Sequence, residues 1–248
     1  MIPKIIHNIW IQGYMYLPEK EKKNLLSIKK INPKYKFIFW DEKSIIYLLS
    51  KYPKILEIYK NLEKNGKYSY PWKSDIARYV IMKEYGGIYC DLDFECYSSF
   101  DNLFDSNISS EIYIASSKID LLDYIYTFNL FNKPKYCSCF MIFGKNHPIW
   151  EKVFKNIEIL PFKKNIGEAL DVELQKSNYK IVLLNNKIRG HYQCNNSDEY
   201  VCNTKVESSW NYTRPILKIL NCNKNIFFTI ILFLIFYLLF FLIKKRYY

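Results

Sequence analysis

The sequence predicts an α/β domain with a mostly parallel sheet, followed by a C-terminal transmembrane helix. Short apolar, β-branched and aromatic runs alternate with amphipathic helical stretches, which is the pattern of a layered α/β fold. At the other end, 18 residues from Ile226 to Ile243 pass without a charge. At about 1.5 Å per residue they span roughly 27 Å, close to the hydrocarbon core of a bilayer.

The elements follow in order. Lys4 to Ile11 (KIIHNIWI) predicts a buried strand, and Pro18 to Ile31 a lysine-rich surface helix opened by proline in its first turn. Lys36 to Trp40 (KFIFW) predicts a second strand, with Asp41 as N-cap of the helix IIYLLSKY. Pro53 interrupts, and a further helix runs to about Glu63. Trp72 to Tyr85 predicts a helix with Ile76, Tyr79 and Val80 on one face and Gly86 at its C-terminal stop. Strands are then predicted at 88–92, 111–115 and 140–143, a helix from about Pro148 to Ile159, and a strand at 179–184. Residues 1–220 form one domain in this reading, 226–243 the membrane span, and 244–248 a short basic tail.

Composition narrows the partners. Half of the 248 residues are hydrophobic and 18% aromatic, which excludes disorder for the bulk of the chain. The net charge of +12 raises nucleic acid or an anionic membrane as partners. Only four of the 36 basic residues are arginine, however, and the wealth of Lys, Asn, Ile, Tyr and Phe is the bias of an AT-rich coding sequence. Readers of nucleic acid rely on arginine for bidentate base contacts, and no nucleic-acid motif is present, so no nucleic-acid partner is expected.

The seven cysteines contain no C-x-x-C, and the single C-x-C at 137–139 is a poor zinc pattern. Buried free thiols are the expectation; a Cys194–Cys202 bridge would require an oxidising compartment, and Cys222 lies where palmitoylation is chemically feasible. Basic residues flank the apolar tail on both sides (Arg214, Lys218 and Lys224 before it; Lys244, Lys245 and Arg246 after it), so charge alone leaves its orientation tied. No apolar segment opens the sequence as a signal peptide would. The expectation is therefore a single-pass C-terminal anchor with the domain on the cytosolic side, a luminal domain with a retrieval-like cytosolic tail being the alternative.

Two carboxylates stand two residues apart, Asp91 and Asp93, at the end of a predicted strand. Strand alternation turns both the same way, so they can share one hard cation; the alternative is a solvated strand end. Asp75 and Arg78 are three apart on one predicted helix and share a face. They form either a helix ion pair contributing about 0.5 kcal/mol or less, or part of a site. Gly86-Gly87 suits a helix stop with close backbone approach better than a phosphate cradle.

The blocks Ile2-Pro3-Lys4-Ile5-Ile6-His7-Asn8-Ile9-Trp10, Asn32-Pro33-x-Tyr35 with Trp40-Asp41, Ser74-Asp75-x-x-Arg78-Tyr79 and Gly86-Gly87-Ile88-Tyr89-x-Asp91-x-Asp93 occur in this order and spacing. Together they resemble the DXD-containing sugar transferases of the inositol phosphoceramide mannosyltransferase and initiating α-1,6-mannosyltransferase type (glycosyltransferase family 32-like), with the glucosylating toxins as distant relatives. The resemblance is dense over 2–105 and thin beyond.

It implies a GT-A-like, Rossmann-type domain that binds a nucleotide-sugar donor with Mn²⁺ or Mg²⁺. Asp91, Asp93, Asp75 and Arg78 take the catalytic roles by this resemblance, with Asp93 the direct metal ligand and Asp91 beside ribose or sugar. Asp75 and Arg78 would hydrogen-bond the donor sugar, with Arg78 also near phosphate. Trp10 would stack on the base, a core role being the alternative; Ser74, Tyr89 and Trp210 would line the substrate pocket. A late His and a Ser-Trp pair close the site in such enzymes, which points to His191, also a third metal contact, and to Ser209-Trp210. The family's Thr-Gly-Pro block has no clear match; Ile166-Gly167-Glu168 is nearest and lacks the proline, which leaves acceptor recognition open. His7 is read as structural and His147 as a helix cap.

The expected activity is retaining transfer of a hexose from GDP-mannose or a UDP-hexose to a glycan, sphingolipid or protein acceptor at a membrane. Two rivals stand beside it: a catalytically idle, membrane-tethered binding protein, and a toxin-like protein glucosyltransferase.

Overall fold

The structure, a computed structural model, describes residues 2–63, 69–104, 111–117, 135–159, 163–184, 187–189, 200–204, 229, 232–233 and 236–237. The chain divides into two compact units. The first comprises Met1–Ser117, Lys133–Gly190 and Ser197–Lys205, and the second the remainder.

In the first unit, β1 (Ile5–Ile9), α1 (Glu19–Ile31) and β2 (Lys36–Trp40) open the fold, and α2 (Glu42–Leu49), α3 (Pro53–Asn61) and α4 (Ser69–Tyr85) follow. Then come β3 (Gly87–Cys90), β4 (Phe94–Cys96), β5 (Ile112–Ser117) and β6 (Lys135–Phe143). The unit is completed by α5 (Ile149–Ile159), α6 (Lys163–Lys176), β7 (Ile181–Leu183), β8 (Ile188–Arg189) and β9 (Cys202–Thr204).

Among the described residues the main sheet has six strands in the order β2-β1-β3-β6-β5-β7. It is mixed rather than mostly parallel. The pairs β1/β2, β1/β3 and β5/β7 are parallel, whereas β6 runs antiparallel to both β3 and β5. The remaining three strands form a small second sheet, β4-β9-β8. The sequence pattern missed that sheet because strands of two or three residues are too short to show a period.

Period-two alternation sorts the main sheet onto two cores. Tyr89, Met141, Phe143, Ile112 and Ile114 face α2 to α6, while Ile88, Cys90, Phe140, Ile142 and Tyr113 face Ile28 of α1 and the small sheet. A third, small cluster holds Leu17, Leu25 and Leu92, with Trp10 packed against it. Each fully buried large side chain contributes about 1.5–3 kcal/mol, so these layers fix where the strand ends lie.

Local chemistry sets the boundaries. Asp41 caps α2 as expected: its carboxylate accepts from Ser44 N at 2.9 Å, and Ser44 Oγ accepts from Asp41 N at 3.0 Å. Gly86 stops α4 with φ 62°, and Gly87 follows with φ 97°. A Cβ on Gly86 would lie 2.5 Å from Lys145 N, and one on Gly87 2.5 Å from Ile5 O. The doublet is thus a stop plus a close strand crossing.

Two sequence expectations are corrected. Cys96 faces Cys202 across the β4/β9 pair and is disulfide-bonded to it, and Cys137 is bonded to Cys139. Among the described cysteines only Cys90 is a free thiol, and Cys202 is not available to Cys194. Cys194 and Cys222 lie outside the described residues.

Most of the expected span 226–243 also lies outside them. Among the described residues no helix is long and apolar enough to cross a membrane. In the second unit, Thr229, Leu232, Phe233, Phe236 and Tyr237 are helical and exposed.

Candidate functional site

Asp75 and Arg78 stand one turn apart on α4, facing the end of β3. Arg78 is buried and hydrogen-bonded through Nε and Nη1. Nε donates to Ser74 O at 3.3 Å, and Nη1 donates to Ser138 O and Oγ at 3.0 and 3.2 Å. Nη2 stands 3.4 Å from a carboxylate oxygen of Asp75 and 3.4 Å from one of Asp91. The guanidinium carbon lies 4.8 Å from the Tyr89 ring centroid, and Tyr89 OH donates to Asp91 Oδ1 at 2.5 Å. Four expected site residues therefore form one network: Asp75, Arg78, Tyr89 and Asp91. Ser74 enters it through its backbone carbonyl, and Tyr89 is a buried support for Asp91.

Burial sets the electrostatics. It drives the Asp75 carboxyl up to about 6, with Arg78 pulling it down and Asp91 pushing it further up. Burial also works against the Arg78 charge, but Asp91, Tyr89 and Asp75 outweigh it and raise its pKa. The Tyr89 phenol is held well above its ordinary range, first by burial and then by Asp91 against Arg78, so it remains a donor. A fixed cation with one strained carboxyl and one well-held carboxylate is suited to gripping hydroxyls and phosphate oxygens.

The Asp91-Leu92-Asp93 segment is a turn, because β3 ends at Cys90. Strand alternation therefore does not reach Asp93. Backbone contacts pin the turn instead: Asp91 N donates to Cys139 O, Asn8 Nδ2 to Cys90 O, and Asn24 Nδ2 to Leu92 O, at 2.9, 2.7 and 2.9 Å. Leu92 plugs into the small cluster beside Trp10. Trp10 is half-buried, and its indole Nε1 is buried without a hydrogen-bond partner.

Asp93 lines a cavity of about 280 Å³ together with Lys20, Lys23, Asn24 and Glu95. Asp93 and Glu95 thus bring two hard oxygen donors to one cavity. That suits a divalent cation whose remaining ligands are water and phosphate oxygens. Among the described residues no group of three or more His, Cys, Asp or Glu is arranged around a common metal position. His191, Ser209 and Trp210 lie outside the described residues.

The other histidines are structural. Trp40 Nε1 donates to His7 Nδ1 at 3.1 Å, so the His7 proton sits on Nε2 and is donated to Gly86 O at 2.9 Å. Burial lowers the His7 pKa to about 4, and the ring is neutral. His147 Nδ1 accepts from Ile149 N at 3.3 Å at the start of α5.

Sequence reasoning missed Glu95, Lys20, Lys23, Asn24 and Ser138. Glu95 was detectable, since Asp91, Asp93 and Glu95 alternate with the buried Leu92, Phe94 and Cys96. The others belong to distant segments and follow no spacing rule.

Residues 18–110 match the family model described as a glycosyltransferase sugar-binding region containing the DXD motif. Residues 18–110 are thus similar to the sugar-binding region of the DXD-containing sugar transferases. The DXD carboxylates are Asp91 and Asp93. Among curated relatives, an uncharacterized glycosyltransferase, L373, of Acanthamoeba polyphaga mimivirus is 34% identical over 160 residues, covering 63% of this chain and 56% of the viral protein. Mannosyl phosphorylinositol ceramide synthase SUR1 of Saccharomyces cerevisiae is 35% identical over 105 residues, covering 42% of this chain and 25% of the yeast protein. Inositol phosphoceramide mannosyltransferase 3 of Schizosaccharomyces pombe is 35% identical over 106 residues, or 41% and 27% of the two chains. The match thus spans about half of the viral relative and about a quarter of the yeast ones.

Among solved structures, the PaToxG glycosyltransferase aligns with a TM-score of 0.51 at 19% identity, covering 71% of this chain and 69% of that one. Mouse xyloside xylosyltransferase 1 in its apo form also gives 0.51, at 11% identity, covering 82% and 97%. These likenesses establish a GT-A-like fold around the DXD turn.

Proposed function

We propose that the chain is a metal-dependent, retaining glycosyltransferase, anchored to a membrane by its apolar C-terminal segment. Its donor is a nucleotide hexose, with GDP-mannose ahead of a UDP-hexose because two similar fungal proteins bear mannosyl in their names. Its acceptor is a glycan, sphingolipid or protein hydroxyl. The observation that carries this reading is the buried Arg78, bridging Asp75 and Asp91 beside the cavity that holds Asp93.

Asp93 and Asp91 would hold Mn²⁺ or Mg²⁺, which supplies charge neutralisation to the departing diphosphate. Arg78 binds donor oxygens through Nη2, and Asp75 accepts from a sugar hydroxyl above its pKa of about 6. Tyr89 keeps Asp91 in place. Trp10 offers its ring face to the base. The acceptor attacks from the face the diphosphate leaves, a course that differs from the two-carboxylate scheme of most glycosidases.

Exposed Leu232, Phe233, Phe236 and Tyr237 support the anchor, and anchoring raises the effective concentration of a membrane-bound acceptor. The two disulfides favour an oxidising compartment for the domain over the cytosolic side expected where no apolar segment opens the sequence.

A screen of sugar nucleotides for hydrolysis and transfer, with Mn²⁺ or with chelator, tests the reading. Asp91→Ala and Asp93→Ala are expected to abolish turnover; the urea unfolding midpoint should fall for Asp91→Ala, which takes a carboxylate from buried Arg78 and the acceptor from Tyr89, and change little for Asp93→Ala. Retained turnover in both variants refutes the assignment, and an inverted linkage by NMR refutes the retaining course.

A further inference from the structure

The pairing of β5 with β6 slips at one point. Ile114 faces Met141, but the next residue, Ala115, faces Cys137. Ser138, Cys139 and Phe140 are therefore bulged away from β5, while Phe140 still pairs with Cys90 of β3 on the other edge. A bulge re-aims groups that a regular ladder would consume. Here it turns the Ser138 carbonyl and hydroxyl to Arg78 Nη1, at 3.0 and 3.2 Å, and the Cys139 carbonyl to Asp91 N, at 2.9 Å. The Cys137–Cys139 disulfide brackets the residue.

The Ser138 hydroxyl oxygen accepts from Arg78, and Tyr79 OH, one residue on along α4, donates to Gly167 O at 3.2 Å. Ser138 takes both Nη1 protons, Ser74 O takes the Nε proton, and the guanidinium plane is fixed. Nη2 remains, 3.4 Å from each of two carboxylates and more loosely held than Nη1.

We propose that Ser138 is the positioning residue that orients Arg78, leaving Nη2 as the edge that meets the anionic donor. The kinetic consequence rests on the glycosyltransferase reading; the orientation itself does not. Without the hydroxyl, Nη1 keeps a single acceptor, and the guanidinium can turn about its Nε–Cζ bond.

The chain has only four arginines, so arginine labelled with ¹⁵N in the full-length protein gives four side-chain signals. Arg78→Lys identifies the Arg78 signal. In the native protein its two Nη groups should rotate slowly. Ser138→Ala should speed that rotation, and Ser138→Thr, which keeps the hydroxyl, should not. An Arg78 signal unchanged by Ser138→Ala overturns the proposal.

On sugar-nucleotide hydrolysis, Ser138→Ala should lower kcat/KM about ten- to hundredfold, the scale of one hydrogen bond to a charged group. Ser138→Thr should restore most of it. In an Arg78→Ala background the same change should add less than about twofold, and an additive loss also overturns the proposal. If the native protein hydrolyses no sugar nucleotide, the glycosyltransferase reading falls, while the ¹⁵N signals still decide the role of Ser138.

Discussion

Asp75→Asn should stabilise the fold at neutral pH and lose that advantage in acid. Asp75 is walled in by α6, where a Cβ on Gly167 would come within 3.1 Å of Asp75 Oδ2. Burial raises its carboxyl from an ordinary 3.8 to about 6, against the pull of Arg78 and with a further push from Asp91. Between those values the folded state binds more protons than the unfolded one, so this contribution is complete below about 3.8 and lost as pH rises through 6. At about 1.4 kcal/mol per pKa unit the loss by pH 7 comes to about 3 kcal/mol. Asparagine has no proton to release. About 0.5 kcal/mol of this is already lost at pH 4, so the stability difference between variant and native protein should move by about 2.5 kcal/mol in the variant's favour from pH 4 to pH 7.

His7 works in the opposite sense, which hides the effect in the native protein. Its pKa falls from 6.5 to about 4, so its contribution is complete above 6.5 and lost as pH drops through 4, again about 3 kcal/mol. In the native protein the His7 rise offsets most of the Asp75 fall, and Asp75→Asn should make stability rise more steeply with pH. The assay is urea unfolding followed by tryptophan fluorescence from pH 4 to 7, on the full chain in mild detergent. A difference between variant and native protein that does not change with pH refutes the burial argument for Asp75.

Gly87→Ala should destabilise by about 3 kcal/mol or more, since the new methyl meets Ile5 O at a backbone φ of 97°; the urea midpoint reads it directly. Asp41→Ala removes the cap on α2 and should cost about 1 kcal/mol in the same assay, with turnover unchanged because Asp41 is outside the site.

Much of the site was visible in the sequence because it obeys local periods. Asp75 and Arg78 share a helix face, and Tyr89 reaches Asp91 two residues on. The run Lys36–Trp40 was legible as a strand to the residue. What escaped is what periods do not encode. Hydrophobic alternation says nothing of strand direction, so β6 was not foreseen as antiparallel, nor its polar start at Lys135-Tyr136-Cys137-Ser138 as strand. Gly167 obscured a helical spacing at Ile166, Ala169, Leu170 and Leu174, and α6 was passed over as a degenerate motif block. The hold on the Asp91 turn comes largely through the carbonyls of Cys90, Leu92 and Cys139, and a carbonyl looks the same behind every side chain.

The two helices flanking the site differ in how firmly they are braced. α4 packs against α2, α3, α5, α6, β1 and β3. Lys73 ties it to Glu42 at 2.7 Å, Glu84 ties it to Lys51 at 2.8 Å, and Lys83 reaches Glu151. α1, which brings Lys20 and Lys23 to the Asp93 cavity, buries only Leu25 and Ile28. α4 is thus a rigid datum, and α1 is a compliant wall of the Asp93 cavity. Under the proposed function, a donor held by Asp75 and Arg78 would have to fit them as they stand, and selectivity would be strictest there. Adaptation to groups of differing size falls to α1, the wall that yields at least cost.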